Sequence, residues 1–246
     1  MAPRRSGGRE PQAPQEWVGK SFREVPLREI VTAPVITQML PAEAVGVAAH
    51  EHDWATHLLP SEAALVARAV EKRRWEFAAG RNCARRALAE LGWSGFPLLH
   101  RAGREPVWPP GVVGSITHCD GYCAAAVAPK AQLTSLGIDA ERNALLPTGV
   151  PDLVCTVGEQ QDIGGIDGVE VQALIFSAKE AVFKAWHPLT GLWLDYLDAA
   201  LAFDVATGTF SVRLLPTAPL DELPGTFVGK FAATPEHVFT LVTVAG

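Results

Sequence analysis

The chain has 246 residues, 48% of them hydrophobic and 20% charged, with a formal net charge of −6. That is enough to bury a real core, as one large domain or as two half-sized ones. The acidic balance excludes a general nucleic-acid binder, which needs surplus Lys and Arg to replace phosphate counterions. The longest apolar runs, such as 123–128 and 199–203, are far too short for a membrane helix, so no membrane span is expected.

Arg4, Arg5 and Arg9 open the chain, but no apolar run follows them, so a secretory signal is not expected and a cytoplasmic location is. Residues 1–16, with Pro3, Gly7, Gly8, Pro11 and Pro14, have almost nothing apolar to bury and read as a mobile tail. The four cysteines, Cys83, Cys119, Cys123 and Cys155, lack C-x-x-C spacing and are too sparse for a disulfide framework, so free, mostly buried thiols are expected.

The run Val35 to Leu40 reads as a first strand closed by Pro41, followed by a polar, His-containing linker up to Leu59 and Pro60. Ser61 is the expected N-cap of a long amphipathic helix, with Leu65, Val66, Ala69, Val70 and Phe77 at helical spacing. Gly80 is a place for that helix to break, with a second helical run from Arg81 to Leu91 ending at Gly92. Gly111 to Cys119 and Cys123 to Ala128 predict two strands joined by a tight turn, and Leu133 to Asp139 another. Phe176 to Trp186 predicts a helix stopped by His187 and Pro188. The segments 199–203, 209–215, 226–232 and 238–244 alternate like antiparallel strands.

This order of strand, helix, strands, repeated once, implies an α+β fold of two similar pseudo-symmetric halves, each an antiparallel sheet packed on a long helix. The N-terminal half is expected over 17–129 and the C-terminal half over 130–246.

Four constellations bear on chemistry. Asp139 and Glu141 are two apart on or just past a strand, so their carboxylates share a face and suit a hard cation such as Mg²⁺; a solvated strand end is the competing reading. In Phe176 through Ala185, Lys179 and Glu180 fall in the expected first helical turn and Lys184 one turn on. A capping box from Ser177 to Glu180 and an ion pair from Glu180 to Lys184 explain two of these residues, while Lys179 at the positive end of a helix calls for an anion nearby. Ser115, Thr117 and His118 follow Gly114 and offer phosphate donors. The basic run around Arg73, Arg74, Arg81 and Arg85 offers an anion site. An unbroken helix would align Arg74, Arg81 and Arg85, whereas a break at Gly80 would bring Arg73 and Arg81 together.

Taken together, Lys72 through Phe77 with Gly80 through Arg85, Trp108 through Cys119, Gly137-Ile138-Asp139-Ala140-Glu141, and Phe176 through Ala185 resemble the phosphopantetheinyl transferase superfamily. The resemblance is to the monomeric, two-half class of the enterobactin and surfactin synthetase activators, in an actinobacterial-like form, and runs from about residue 35 to the end. It implies coenzyme A bound between the halves and a Mg²⁺-dependent transfer of its 4′-phosphopantetheine arm to a serine of an acyl or peptidyl carrier protein, releasing 3′,5′-ADP. By the same resemblance, Asp139, Glu141 and Glu180 bind Mg²⁺. Lys179 contacts the pyrophosphate, and Arg73, Arg81, Thr117, His118 and Lys184 contact coenzyme A, which favours the broken helix. Arg101 and Arg104 stand where relatives carry a 3′-phosphate lysine. Ala140 between the two acids offers no ligand.

The mechanism so implied has Lys179 and His118 stabilise charge and Glu180 act as general base. Two rival readings are a coenzyme-A-dependent acyltransferase, which would need no carboxylate cluster, and an inactive carrier-binding protein, which would be expected to lack a metal carboxylate.

Overall fold

The computed structural model describes residues 36–50, 57–101, 103–162, 166–222 and 224–245. The expected tail, residues 1–16, and Val35 lie outside them. Among the described residues no helix is long and apolar enough to cross a membrane. The described residues begin with a helical turn, α1 (Ile36–Met39), then β1 (Val45–His50), α2 (Pro60–Leu65) and α3 (Glu71–Glu90). β2 (Val112–Cys119), β3 (Tyr122–Pro129) and β4 (Ser135–Arg142) follow, then α4 (Val150–Val154), α5 (Val157–Asp162) and α6 (Val171–Thr190). A 3-10 turn at Tyr196–Asp198 leads into β5 (Ala199–Asp204), β6 (Thr209–Leu214), β7 (Thr226–Ala233) and β8 (His237–Ala245).

The fold is α+β, with two antiparallel sheets ordered β1-β3-β2 and β4-β8-β7-β6-β5. Alternation along the strands explains how β3, β4 and β8 serve three of the four cores among the described residues. On β3, Cys123, Ala125 and Val127 face α3, where they meet Ala84, Ala87 and Leu88. The opposite face, Tyr122, Ala124 and Ala126, meets Leu136 and Ile138 of β4 and Phe239 and Leu241 of β8, so this core joins the halves. Val238, Val242 and Val244 of β8 point the other way, onto Ala178, Val182 and Trp186 of α6.

Several sequence expectations are corrected. Ile36 to Leu40 begins in a helical turn rather than a strand: Ile36 and Met39, three apart, are both buried, and a short apolar run suits either period. The first strand is β1, inside the expected polar linker. The N-cap of α2 is Leu59, not Ser61, with Pro60 at N1, and Glu62 in the first turn is fully buried. Its carboxylate accepts from Leu59 N at 3.0 Å and Leu98 N at 2.9 Å and pairs with Arg85, tying α2 to α3. The helical run is interrupted between α2 and α3, not at Gly80. A Cβ at Gly80 would lie 2.9 Å from Ile116 Cγ2, so this glycine serves close packing of an unbroken helix on β2.

α6 begins five residues before the expected start and contains Pro188, ending before Gly191. Proline is tolerated because it falls in the last turn, where little helix remains to disrupt. Lys179 and Glu180 therefore stand about two turns into the helix. Neither the Ser177 capping box nor the helix-end argument for an anion at Lys179 applies. The N-cap is Glu170, without a side-chain cap bond.

Residues 137, 139 and 141 of β4 face α6, and Gly137 lets the helix backbone close onto the strand. A methyl at Gly137 would collide with the carbonyl of Ala181 and lie 2.8 Å from Ala185 N. Since both obstacles are backbone, Gly137→Ala is expected to cost about 3 kcal/mol or more in urea unfolding. A loss below about 1 kcal/mol would show that α6 can shift without penalty.

Candidate active site

The C-terminal ends of β2 and β4 lie side by side in different sheets. Ser115 Oγ accepts from Ile138 N at 3.1 Å and Thr117 Oγ1 accepts from Ala140 N at 3.1 Å. The two pairs advance together, so the strands run parallel, joined by hydroxyls instead of a backbone ladder. Thr117 also donates to Asp139 Oδ1 at 3.0 Å. This uses the hydroxyl's one proton inside the protein, with Thr117 buried. Thr117 thus appears here as a clamp on the carboxylate strand, in place of the open phosphate donor expected from its neighbours in sequence.

Asp139 is buried, and its Oδ1 also takes Lys184 Nζ at 2.6 Å. Lys184 Nζ lies 3.3 Å from Ile138 O as well. Asp139 Oδ2 is buried without a hydrogen-bond partner. Burial raises the Asp139 pKa against the pull of Lys184, and Glu180 adds to the rise. Glu141 is pushed up to about 8, first by burial and then by the Asp139 charge. Burial opposes the charge on Lys184, yet Asp139, Glu180 and Glu141 together hold its pKa above the ordinary value. One lysine therefore leaves the carboxylates under-neutralised.

Glu180, on the adjoining face of α6, accepts a hydrogen bond at Oε1 from the Tyr196 hydroxyl. Burial, then Glu180, push the Tyr196 pKa up, which keeps the phenol protonated as donor. A cavity of about 170 Å³ opens beside this pair, lined by Glu180, Val182, Phe183, Trp193, Leu194 and Tyr196 among others. Phe183 and Trp193 pack against each other along it, their rings tilted at 58° with centroids 4.8 Å apart.

His118 faces the opposite side of β2, toward α3. Its Nε2 is 2.7 Å from Arg73 Nη1. Arginine only donates, so Nε2 accepts and the imidazole is neutral, with its proton on Nδ1. Burial lowers the His118 pKa first, and Arg73 lowers it further. His118 is therefore a neutral imidazole whose Nδ1–H is its donor.

Lys179 also borders the cavity but does not join the carboxylate cluster. It is buried, and Nζ donates to Val154 O at 2.7 Å, Glu159 Oε2 at 2.8 Å and Tyr196 O at 2.8 Å. All three of its donors are used within the protein, which differs from the expected pyrophosphate contact. Arg81 is also inward. Its Nε donates to Leu98 O at 3.2 Å, its guanidinium lies 3.9 Å over the Phe77 ring, and burial lowers its pKa to about 10. The unbroken α3 does not bring Arg73 and Arg81 together as a pair, although Arg73 still lowers the Arg81 pKa. Arg101 and Arg104 are exposed on a turn bridged by His100 and Pro106. Arg101 reaches Glu105 at 3.9 Å.

Three residues outside the sequence reading complete the site. Tyr196 holds Glu180; it had no signal beyond being one of two tyrosines. Glu159 anchors Lys179, and its position was legible from Thr156-x-x-Glu159. Thr156 N donates to Glu159 Oε2 at 2.7 Å, and Glu159 N donates to Thr156 Oγ1 at 3.2 Å. Trp193 was hidden in a loop, where hydrophobic period carries no information.

A polar cluster at the junction of two sheet-and-helix halves, beside an apolar cavity, defines an enzyme active site in outline. Residues 61–128 match the family model of the 4′-phosphopantetheinyl transferase N-terminal domain, and residues 135–228 that of the 4′-phosphopantetheinyl transferase superfamily. The chain is 48% identical over 221 residues to the 4′-phosphopantetheinyl transferase Svp of Streptomyces mobaraensis, covering 86% of this chain and 89% of Svp. It is 44% identical over 178 residues to Npt of Nocardia iowensis, covering 71% and 79%. It is likewise 44% identical over 163 residues to PptT of Mycobacterium tuberculosis, covering 64% and 72%. The last two are also named 4′-phosphopantetheinyl transferases. The chain belongs to the 4′-phosphopantetheinyl transferase superfamily, whose members transfer phosphopantetheine from coenzyme A to carrier proteins.

Whether these residues suit Mg²⁺ can be tested on the donor set. Among the described residues, no three His, Cys, Asp or Glu side chains are gathered as a ready coordination shell. The chemistry nevertheless fits a hard cation: oxygen donors, a buried orphan at Asp139 Oδ2, and carboxyl groups whose pKa values are raised by burial and by one another. The raised Glu141 pKa has a sign that can be checked. Between its ordinary 4.5 and about 8 the folded state holds the proton more tightly than the unfolded chain, so this group's contribution to stability falls as pH rises through that window. In EDTA, Glu141→Gln should flatten the decline of the urea midpoint from pH 5 to pH 8 relative to wild type. Parallel profiles would show that Glu141 does not carry the shift.

Proposed function

We propose that this chain moves the 4′-phosphopantetheine arm of coenzyme A onto a serine of an acyl or peptidyl carrier protein, releasing 3′,5′-ADP, with Mg²⁺ held by Asp139, Glu141 and Glu180. The supporting observation is the under-neutralised carboxylate cluster containing the Asp139 orphan oxygen, with Glu180 lining an apolar cavity. When bound, Mg²⁺ supplies charge neutralisation for pyrophosphate oxygens.

We place coenzyme A between a half running over 17–129 and one over 130–246. Lys184 takes the pyrophosphate role expected of Lys179, because it is the lysine facing the carboxylates and Lys179 has no donor to spare. His118 Nδ1–H and the Arg73 guanidinium donate to phosphate oxygens, with Arg101 and Arg104 assigned to the 3′-phosphate. Arg81 and Thr117 support these contacts through the backbone they hold. The cavity walled by Phe183 and Trp193 suits the extended, largely uncharged pantetheine arm.

In the transfer, the carrier serine Oγ bonds to the phosphorus bearing the arm and the pyrophosphate bridge breaks. The leaving 3′,5′-ADP carries away the bridging oxygen, and Glu180 accepts the hydroxyl proton. Positioning and charge stabilisation supply most of the rate, with no covalent enzyme intermediate. A site complete within one chain makes the monomer the working unit, in the cytoplasm, without nucleic acid or membrane as partner.

Incubation with an apo carrier protein, coenzyme A and Mg²⁺ should add ~340 Da, the size of the arm, by intact mass spectrometry, and EDTA should prevent it. Glu180→Gln should slow the gain at least ~100-fold while the protein remains folded by circular dichroism. Near-normal turnover in that variant would remove Glu180 from both its metal and base roles.

A further inference from the structure

Glu180 lies on the cavity side of α6 and has two partners within reach of its helix position. One is Lys184, its i+4 neighbour, where a Glu-to-Lys pair would ordinarily form. The other is the Tyr196 hydroxyl, which it takes. Lys184 is thereby left on Asp139. The choice between these pairings decides whether Glu180 reaches into the cavity or folds back along its own helix.

Tyr196 is held by groups outside the carboxylate cluster. Its carbonyl accepts from buried Lys179 Nζ at 2.8 Å. Lys179 is fixed in turn by Val154 O and by Glu159, whose other oxygen accepts Leu201 N at 2.8 Å. The ring leans on Phe176 with centroids 5.7 Å apart. The 3-10 turn that starts at Tyr196 is closed by Asp195 N donating to Asp198 Oδ2 at 2.9 Å. Backbone, ring and hydroxyl are therefore each anchored, and the phenol is a rigid donor with few torsions to freeze.

We propose that Tyr196 is a positioning residue for the transfer reaction: its hydroxyl holds the Glu180 carboxylate at the cavity wall and off Lys184, and the buried Lys179–Glu159 pair sets the height of Tyr196. This deepens the reading of Glu180 given above and rests on it. It also assigns Lys179 a task that its three satisfied donors permit, as the support of Tyr196 and through it of the catalytic carboxylate. Groups that orient a reacting side chain without touching substrate commonly contribute about 10–100-fold.

The test is Tyr196→Phe in the full chain, assayed with coenzyme A, Mg²⁺ and an apo carrier protein, together with its crystal structure. The ring and its packing remain, so the variant should melt as wild type does. Its kcat should fall by about tenfold or more, with the KM for coenzyme A within about twofold. In the crystal, the Glu180 carboxylate should swing toward Lys184. A wild-type kcat, or an unmoved Glu180, overturns the positioning role. So does a loss of kcat that only follows a lowered melting temperature. If wild type itself modifies no carrier protein, the transferase reading falls and the positioning role with it, whereas an active wild type beside an equally active Tyr196→Phe removes the positioning role alone.

Discussion

The site depends on a single buried charge. Asp139 sits in the middle of a strand at the meeting of the halves, and an isolated carboxylate there would carry a desolvation penalty of several kcal/mol. It is held by one hydroxyl from the N-terminal sheet, Thr117, and one ammonium from the C-terminal helix, Lys184. Each partner arrives only because something else has brought it close. Thr117 comes by the hydroxyl bridging of β2 to β4, and Lys184 by the backbone approach that Gly137 allows. Compensation stops short of completion, with Asp139 Oδ2 left as a buried oxygen without a hydrogen-bond partner.

Two adjacent residues on α6, both bordering the cavity, divide the work by taking different partners. Lys179 pairs with Glu159, where burial lowers its pKa and Glu159 opposes the fall. Glu180 takes the Tyr196 hydroxyl. A buried ion pair contributes uncertainly to stability because desolvation offsets its attraction, but it defines geometry well when every donor is used. Here it also draws together α4, α5 and the 3-10 turn, which would otherwise present short elements with little apolar area of their own.

An acidic protein that binds an anionic co-substrate must localise its positive charge. Arg73 and Lys184 lie on different helices, yet both lower the His118 pKa, so they act on one region. Much of the remaining basic run on α3 is structural: Arg81 is stacked over Phe77 and Arg85 pairs with buried Glu62. Counting basic residues along a helix thus overstates its capacity for phosphate.

Local order was largely legible in the sequence. The paired strands at 112–119 and 122–129, the carboxylates on one face of β4, and the strands after residue 199 follow from alternation and turn chemistry, which act over a few residues. Motif resemblance pointed to Asp139, Glu180 and Lys184, whose side chains the structure sets near one another, but not to Tyr196, Glu159 or Trp193. What tertiary structure alone decided was direction and partnership. Whether 36–39 turns as helix or extends as strand depends on which core it covers. Whether a glycine breaks a helix or lets it approach a strand depends on what lies across from it, as Gly80 does from Ile116. Lys179 and Glu180 are neighbours in sequence, but a 100° step around α6 sends them to different environments, and their partners Glu159 and Tyr196 stand 20 and 16 residues away. Spacing along a chain carries no record of contacts made across it, because those are set by packing of surfaces that exist only once the helices and sheets have met.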